Sequence, residues 1–444
     1  MMESIFKTPE CVQVSTIFSK EYVDLSQCVI ILCRSFDALQ EMPYGEVLSN
    51  RIKGKAQDKH VEIWRSQLPN DVATNVIVCK VFEGKGAFEF TDALTKQLKL
   101  LNELSGQILV ADFLNTPEYA ELSLRTLLAH DARMPCYKSK DESKVGIEKI
   151  EIYSANELAL EKVQASNSGN ALARYLTTLP TNHLTPDIYV EKVKNLAKAE
   201  KWGFSFYDTE KLEALEAGAF LAVARASEGS GIVKLRYEPK NKGKSTSEKL
   251  VSLVGKGVCF DTGGVSIKSP EYMYGMHEDM SGSAVALGSF LMLSQLNVNY
   301  PVECWLAIVD NRVGSQAFLP NEVVKTINGT TIEIVDTDAE GRLILADTLA
   351  LASQSKPDLM IDFATLTGAS IRAVGTRYST VFSNREDWLM DLVATGRKSG
   401  ERVWPMPMSD EYLEDIKSEV ADIKQCNVVG SGDHIHAAKL LEKF

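Results

Sequence analysis

The chain lacks long apolar runs, paired cysteines, a signal-like start and any surplus of positive charge. No stretch approaches the about 18 uninterrupted apolar residues that span a bilayer, so no membrane-crossing helix is expected. The opening MMESIFKTPE has no charged start followed by an apolar core, so no secretory signal is expected. The eight cysteines, at positions 11, 28, 33, 79, 136, 259, 304 and 426, form no Cys-x-x-Cys pair. That argues against a disulfide framework and a zinc finger, and predicts reduced, mostly buried thiols in a cytoplasmic protein. With 48 basic and 60 acidic residues the net charge is −12. An acidic chain is a poor sequence-independent binder of nucleic acid, which needs a basic face. There is no internal repeat and no low-complexity tract. What remains is ordinary globular usage: 444 residues, 45% apolar, 24% charged and 8% aromatic. That length suits two domains at roughly 100–200 residues each.

Strand-like and helix-like runs alternate throughout, which predicts an α/β fold. Near the start, CVIILC (28–33), 75–82 and 107–113 read as short strands, with helices over 91–104 and 119–130. The polar stretch 138–149 reads as a surface loop, with one last strand over 149–153. A long helix over 157–175 suits a bridge to a second domain. The segment LPTNHLTP (179–186) then breaks the pattern with two prolines. Thr185 before Pro186 signals the start of a helix over 187–201. The expected division is an N-terminal α/β domain over 1–155, a linking helix over 156–175 and a second domain over 176–444.

Two motif look-alikes have plainer readings. Gly243-Lys244-Ser245 resembles the end of a P-loop, but Glu238 stands where the first glycine is needed, so a solvated hairpin tip is expected. Asn328-Gly329-Thr330 matches a glycosylation pattern but reads more simply as a turn between strands.

Three clusters carry chemistry. In the first, an apolar strand over 250–254 runs into Gly255-Lys256-Gly257, then Asp261, a Gly263-Gly264 turn and Lys268. Lys256 and Asp261 are expected just past the strand end, where open α/β sheets place their sites. In the second, Asp279 precedes small residues that open a tightly packed helix over 282–293. In the third, Asp336, Asp338, Glu340 and Arg342 lie between a strand over 331–335 and a helix over 343–353. Like charges so crowded repel unless cations hold them. Taken singly, an Asp-x-Asp-x-Glu turn is more often a solvated loop or cap, and Gly-Lys-Gly more often a plain turn. Together, Asp261, Asp279, Asp338 and Glu340 can bridge two divalent ions, which at about 3.5–4 Å apart activate water and clamp a tetrahedral intermediate.

The residues then carry a family resemblance. VGKGVCFDTGGVSIK (254–268), TDAEGRL (337–343), ATLTGA (364–369) and NHLTP (182–186) resemble signature blocks of the cytosolic leucine aminopeptidases, the leucyl aminopeptidase family of two-metal exopeptidases. The resemblance covers about residues 165–444 and implies two domains, a smaller N-terminal α/β domain and a larger catalytic one whose mixed central sheet is flanked by helices. It implies that Lys256, Asp261, Asp279 and Glu340 hold one metal, and Asp261, Asp338 and Glu340 the other. It implies that Lys268 stabilises the oxyanion, that Arg342 holds a bicarbonate general base, that Thr365 and Leu366 bind substrate backbone, and that Met276 lines the pocket for the first side chain. A lysine ligand must bind as the neutral amine, although its ordinary pKa is about 10.4. A neighbouring dication and burial both favour that form. Mn²⁺, Zn²⁺ or cobalt suit such ligands.

The expected activity is metal-dependent release of N-terminal residues, apolar ones such as leucine, from short peptides by a homohexamer. Asp336 stands where the family has asparagine, and Ser281, Ser283 and Thr262 are further departures, none removing a ligand. The family's chain is expected to run about 40 residues further, which would leave a sheet edge uncovered. GDHIH (432–436) replaces a glycine- and alanine-rich loop and reads as a plain loop, its His-x-His pair lacking a third ligand. His277 reads as near the site without ligating. Two competing functions are an inactive scaffold or moonlighting binding protein, and a two-metal phosphoesterase, against which Lys256 and the missing phosphate loop argue.

Overall fold

Residues 28–33 read CVIILC and are buried at every position, the signature of a strand covered on both faces. The computed structural model describes residues 8–14, 19–52, 62–82, 86–101, 104–114, 116–139, 146–239, 249–429 and 431–444. Two compact units emerge from the contacts, Met1–Asn167 with Met390–Val403, and Ser168–Leu389 with Trp404–Phe444. The dividing point lies inside the helix Leu160–Thr177.

The first unit holds a six-stranded sheet: β1 (Glu10–Val14), β2 (Cys28–Cys33), β3 (Glu62–Gln67), β4 (Asn75–Lys80), β5 (Gly106–Asp112) and β6 (Ile147–Tyr153). The order is β1-β6-β5-β2-β4-β3. Every neighbouring pair is parallel except the β3–β4 edge. The helix expected over 91–104 runs a turn earlier, Ala87–Leu98, because its apolar stripe is Ala87, Phe90, Leu94 and Leu98. The helix expected over 119–130 runs Pro117–Asp131, starting with proline at its first turn. Of the loop expected over 138–149, residues 140–145 lie outside the described residues, and its end belongs to β6.

The second unit is built on β7 (Gly203–Asp208), β8 (Gly231–Tyr237), β9 (Val251–Asp261), β10 (Val302–Asn311) and β13 (Leu359–Phe363), with a short pair β11 (Val323–Lys325) and β12 (Thr331–Glu333). The five-stranded order is β13-β9-β10-β8-β7. β9 is parallel to both neighbours, and β8 is antiparallel to β10 and to β7, so the sheet is mixed. The two-domain α/β architecture with mixed sheets flanked by helices is therefore as expected. Alternation along β9 divides its neighbours. Gly255 and Gly257 lie against the helix Ser281–Gln295, where a Cβ on Gly255 would stand 2.4 Å from the Ser283 Cα. Lys256 points the other way, to the helix Glu340–Ser353.

That second helix is buried on all sides: Leu343, Ile344, Leu345 and Ala346 are fully buried, packed with Val254, Val258, Trp305 and Val309. Each such large side chain contributes about 1.5–3 kcal/mol by leaving water. Asn328 and Gly329 form the expected turn between β11 and β12, Gly329 taking φ +91°. The Gly243–Ser245 look-alike lies outside the described residues.

Candidate active site

The site forms where β9, β10, the helix Glu340–Ser353 and the loops after β9 and β13 meet. β9 extends to Asp261, so Lys256 lies within the strand and not past its end as expected. Its stem needs room, and Gly341 supplies it: a Cβ there would stand 2.7 Å from Lys256 Nζ. Fully buried, the ammonium lies 2.8 Å from Asp279 Oδ2 and 2.9 Å from Glu340 Oε1, and donates to the Thr365 carbonyl at 2.9 Å. Lys268 forms the second bridge, 2.9 Å from Asp261 Oδ2 and 2.6 Å from Asp338 Oδ1. The structure thus brings together Lys256, Asp261, Lys268, Asp279, Asp338 and Glu340 from three distant stretches of chain.

Local turn chemistry holds each acid. Asp261 Oδ1 accepts the Gly263 N–H at 2.8 Å. Gly263 takes φ +85°, and a Cβ there would stand 2.9 Å from Asp338 Oδ1, so the turn requires glycine. Asp336 caps the short 3₁₀ turn Thr337–Ala339 by accepting the Asp338 N–H at 2.9 Å. Asn makes the same cap, which explains how this departure keeps the turn. Asp279 Oδ1 accepts the Thr365 hydroxyl at 2.7 Å.

Four carboxylates against two ammoniums leave buried negative charge uncompensated. Burial, reinforced by Asp261, pushes the Asp338 carboxyl up to about 6 although Lys268 opposes it. Glu340 is held well above its usual range by burial, with Asp261 and Asp279 adding to it against Lys256. Asp279 is likewise raised by burial, against Lys256. Burial pulls the Lys256 ammonium down, but Asp279, Glu340 and Asp261 together carry it above its usual range. Asp279 Oδ2, Asp338 Oδ1 and Glu340 Oε1 are buried and, among the described residues, meet no donor beyond these ammoniums. Oxygens of Asp261, Asp338 and Glu340 lie within 4.8 Å of one another. Hard, anionic, converging oxygens of this kind can hold a divalent cation.

The remaining expected residues fall as follows. Thr365 is exposed and joined to both Asp279 and Lys256. Leu366 is partly buried and packs on the central core. Met276 sits in the 3₁₀ turn Met276–Glu278 beside Asp279, half-buried, as is His277. Arg342 is fully buried, its Nη1 donating to the Gln425 carbonyl at 3.1 Å and its Nη2 to Asp433 Oδ1 at 2.8 Å. The stretch expected as a loop over 432–436 instead opens the helix Asp433–Leu441, with Gly432 left-handed at φ +68°. His436 is buried there with Nε2 3.0 Å from Asp415 Oδ2, so it serves packing.

Sequence reasoning missed two positioning side chains. Asn311 Nδ2 donates to Asp261 Oδ1 at 2.8 Å and to the Thr337 carbonyl at 3.0 Å. A register shift at the end of β10 sets it opposite Asp261. Its signal was a polar end, Asp310-Asn311, after the apolar run Cys304–Val309. Gln425, fully buried, accepts the Val335 and Asp336 N–H groups at 3.0 Å each and donates to the Ala339 carbonyl at 2.9 Å. Nothing in its local sequence marked it.

A mixed α/β unit whose carboxylates, from a strand end, two turns and a helix start, converge in a fit for a divalent cation suits the class of metal-dependent hydrolases. Comparison with known proteins narrows that class. The catalytic-domain profile of the cytosol aminopeptidase family, Peptidase_M17, matches residues 171–444. The chain belongs to that family and is a leucyl aminopeptidase-type hydrolase. It is 34% identical over 418 residues to a probable cytosol aminopeptidase of Chlorobaculum tepidum, covering 88% of this chain and 82% of the relative. Among solved structures, a cytosol aminopeptidase from Coxiella burnetii matches with TM-score 0.80 and 27% identity, covering 98% of this chain and 90% of that one. An apo leucyl aminopeptidase from Trypanosoma cruzi shares the fold, with TM-score 0.85 and 23% identity over 100% of this chain and 91% of its own. Among the described residues no helix is long and apolar enough to cross a membrane.

Proposed function

We propose that the chain releases N-terminal residues from short peptides, preferring apolar ones such as leucine, with two divalent ions bound at the carboxylate cluster. Lys256, Asp261, Asp279 and Glu340 would hold one ion and Asp261, Asp338 and Glu340 the other, Mn²⁺ and Zn²⁺ both suiting these donors. The observation that carries this reading is the convergence of four acids on the buried Lys256 and the partly buried Lys268, with three oxygens inside 4.8 Å. Bound ions there supply Lewis acidity and an activated water.

The chain's own residues do the rest. Lys268 sits at the cluster with 14% of its side chain exposed, placed to stabilise negative charge developing on the scissile carbonyl. Thr365 is held by Asp279 and Lys256, which fixes the loop expected, with Leu366, to bind the substrate backbone. Met276 is the expected wall of the pocket for the first side chain. The carboxylates hold Lys256 protonated, and a dication beside it pushes in the opposite sense, toward the amine that can ligate. The naming of relatives as cytosol aminopeptidases supports a cytoplasmic protein, and the family resemblance supports a homohexamer. Bicarbonate at Arg342 would use the N–H groups that Gln425 and Asp433 leave, Nε among them, and would supply a general base there.

The test is hydrolysis of leucine p-nitroanilide by chelator-stripped protein, before and after adding Mn²⁺ or Zn²⁺, beside Asp338→Ala. Metal-restored turnover that the variant lacks is expected. Folded protein inactive with every metal would overturn the reading.

A further inference from the structure

Asp279 stands just ahead of the helix Ser281–Gln295, so the setting of that helix places its carboxylate. At three points a glycine lets a neighbouring backbone come against the helix. A Cβ on Gly255 would run into the Ser283 Cα, one on Gly282 into the Phe363 carbonyl and one on Gly288 into the Gly169 carbonyl. Such contacts are close, but they offer no interlocking side chains to fix how the helix turns or slides. A buried polar pin meets that need. Ser283 Oγ donates to the Met280 carbonyl at 2.6 Å, which uses its one hydrogen. The Tyr189 hydroxyl, 3.0 Å from the same oxygen, is therefore the donor to it. Tyr189 is fully buried on a separate helix, Pro186–Glu200. The relay thus runs from Tyr189 through Ser283 to the carbonyl of Met280, the residue after Asp279. Thr365 holds Asp279 itself, donating to Oδ1 at 2.7 Å.

We propose that Tyr189 and Ser283 form a positioning pair for Asp279, pinning the start of the helix Ser281–Gln295 so that the carboxylate meets Lys256 and a bound cation in one fixed place. The proposal rests on the two-metal aminopeptidase reading for its metal and kinetic arms, and on the apo structure alone for its stability arm. Ser283 is one of this chain's departures from the family pattern, and Tyr189 is the partner that gives the departure a use. Neither residue touches the carboxylates, so both act through the backbone of Met280. A hydrogen bond between two fully buried groups suits this task, because neither partner can turn to water instead.

The experiment compares wild type with Tyr189→Phe and Ser283→Ala, and takes Tyr237→Phe as control. Tyr237 is buried too, and its hydroxyl donates to the Val298 carbonyl at 3.1 Å, at the opposite end of β10 from Asn311. Mn²⁺ affinity is read by calorimetry, and kcat and KM with leucine p-nitroanilide. Tyr189→Phe and Ser283→Ala should each weaken Mn²⁺ binding about 10-fold and lower kcat with little change in KM, as groups that orient a ligand from behind do. Tyr237→Phe should lose stability only. Wild-type Mn²⁺ affinity in both test variants would overturn the proposal, and so would a loss that Tyr237→Phe reproduces. The stability arm uses chelator-stripped protein in denaturant. Tyr189→Phe is measured in the wild-type and in the Asp279→Asn background. Its effect on the unfolding constant should differ at least about 3-fold between the two, since coupled residues are not additive. The same effect in both backgrounds would overturn the proposal. If wild type binds no Mn²⁺, the metal reading fails separately and the stability arm decides about Tyr189. If Ser283→Ala does not fold, because the Tyr189 hydroxyl is left buried without an acceptor, Tyr189→Phe carries the test.

Discussion

Asp112 and Asp261 occupy the same place in two different sheets. Each is the last residue of a buried parallel strand, and each accepts the backbone N–H two residues on, Leu114 at 2.9 Å and Gly263 at 2.8 Å. They part at the second oxygen. Asp112 Oδ2 accepts the Ser154 hydroxyl at 2.9 Å, a neutral partner that completes a cap. Asp261 Oδ2 meets the Lys268 ammonium at 2.9 Å, beside Asp338 and Glu340. A strand-end aspartate is therefore a cap or part of a charged centre according to what neighbouring loops bring to it. The sheets differ in the same sense. β2 is all apolar and its end cysteines are inert, burial pushing the Cys28 and Cys33 thiols up to about 12. Buried β9 carries a lysine and an aspartate.

The comparison breaks most readily at its charged member. Asp261→Asn should remove metal-dependent turnover by more than about 10³-fold, since it strips an oxygen that the proposed ions share. Asp112→Asn should leave kcat unchanged and cost under about 1.5 kcal/mol, because an amide can still accept from Leu114 and donate to Ser154. Equal kinetic losses in the two variants, measured with Mn²⁺, would show the distinction to be false. Lys268→Met should lower kcat by about 10²–10³-fold with a smaller change in KM, the size of one lost oxyanion donor. A loss confined to KM would mean that the ammonium binds substrate only. Asn311→Leu should cost about 10–100-fold in activity or metal affinity, as expected for a group that orients a ligand from behind. Unchanged affinity in a metal titration would reduce Asn311 to packing.

The smallest effect concerns pH. Burial holds the Asp112 carboxyl above its usual range. The folded state therefore favours the protonated form. The stability this contributes is present below the ordinary carboxylate pKa and is lost as pH rises through the raised value. Asp112→Asn should flatten that part of the Tm-against-pH curve. An identical curve in wild type and variant would show that Asp112 does not titrate differently on folding.

Much of the site was legible because its parts are short-range. Gly-Lys-Gly, the Gly263-Gly264 turn and the Asp336–Arg342 stretch are local arrangements of turn formers and charges, readable within a few residues. The assembly of the four carboxylates was inferred from the crowding of like charge and the place of Lys256 and Lys268 among them from the resemblance, and the structure does bring the six residues together. What escaped lay across long separations or at element edges. Asn311 reaches Asp261 only through a register shift in β10, and Gln425 reaches the Asp336 turn across almost 90 residues of chain. The placement of Lys256 inside β9 was missed because two glycines beside it read as a strand end. In the fold they are the close-packing face against the helix Ser281–Gln295.

By itself the sequence determined the class of architecture and the local clusters of charge, because periodicity, turn chemistry and residue type act over a few positions, and the resemblance of its signature blocks gave the family. Only the tertiary structure decided which carboxylates share an ammonium, which side chains orient them, and that Arg342 faces Asp433. Those pairings depend on strand order, register and helix entry, which are settled when distant segments bury their apolar faces against one another.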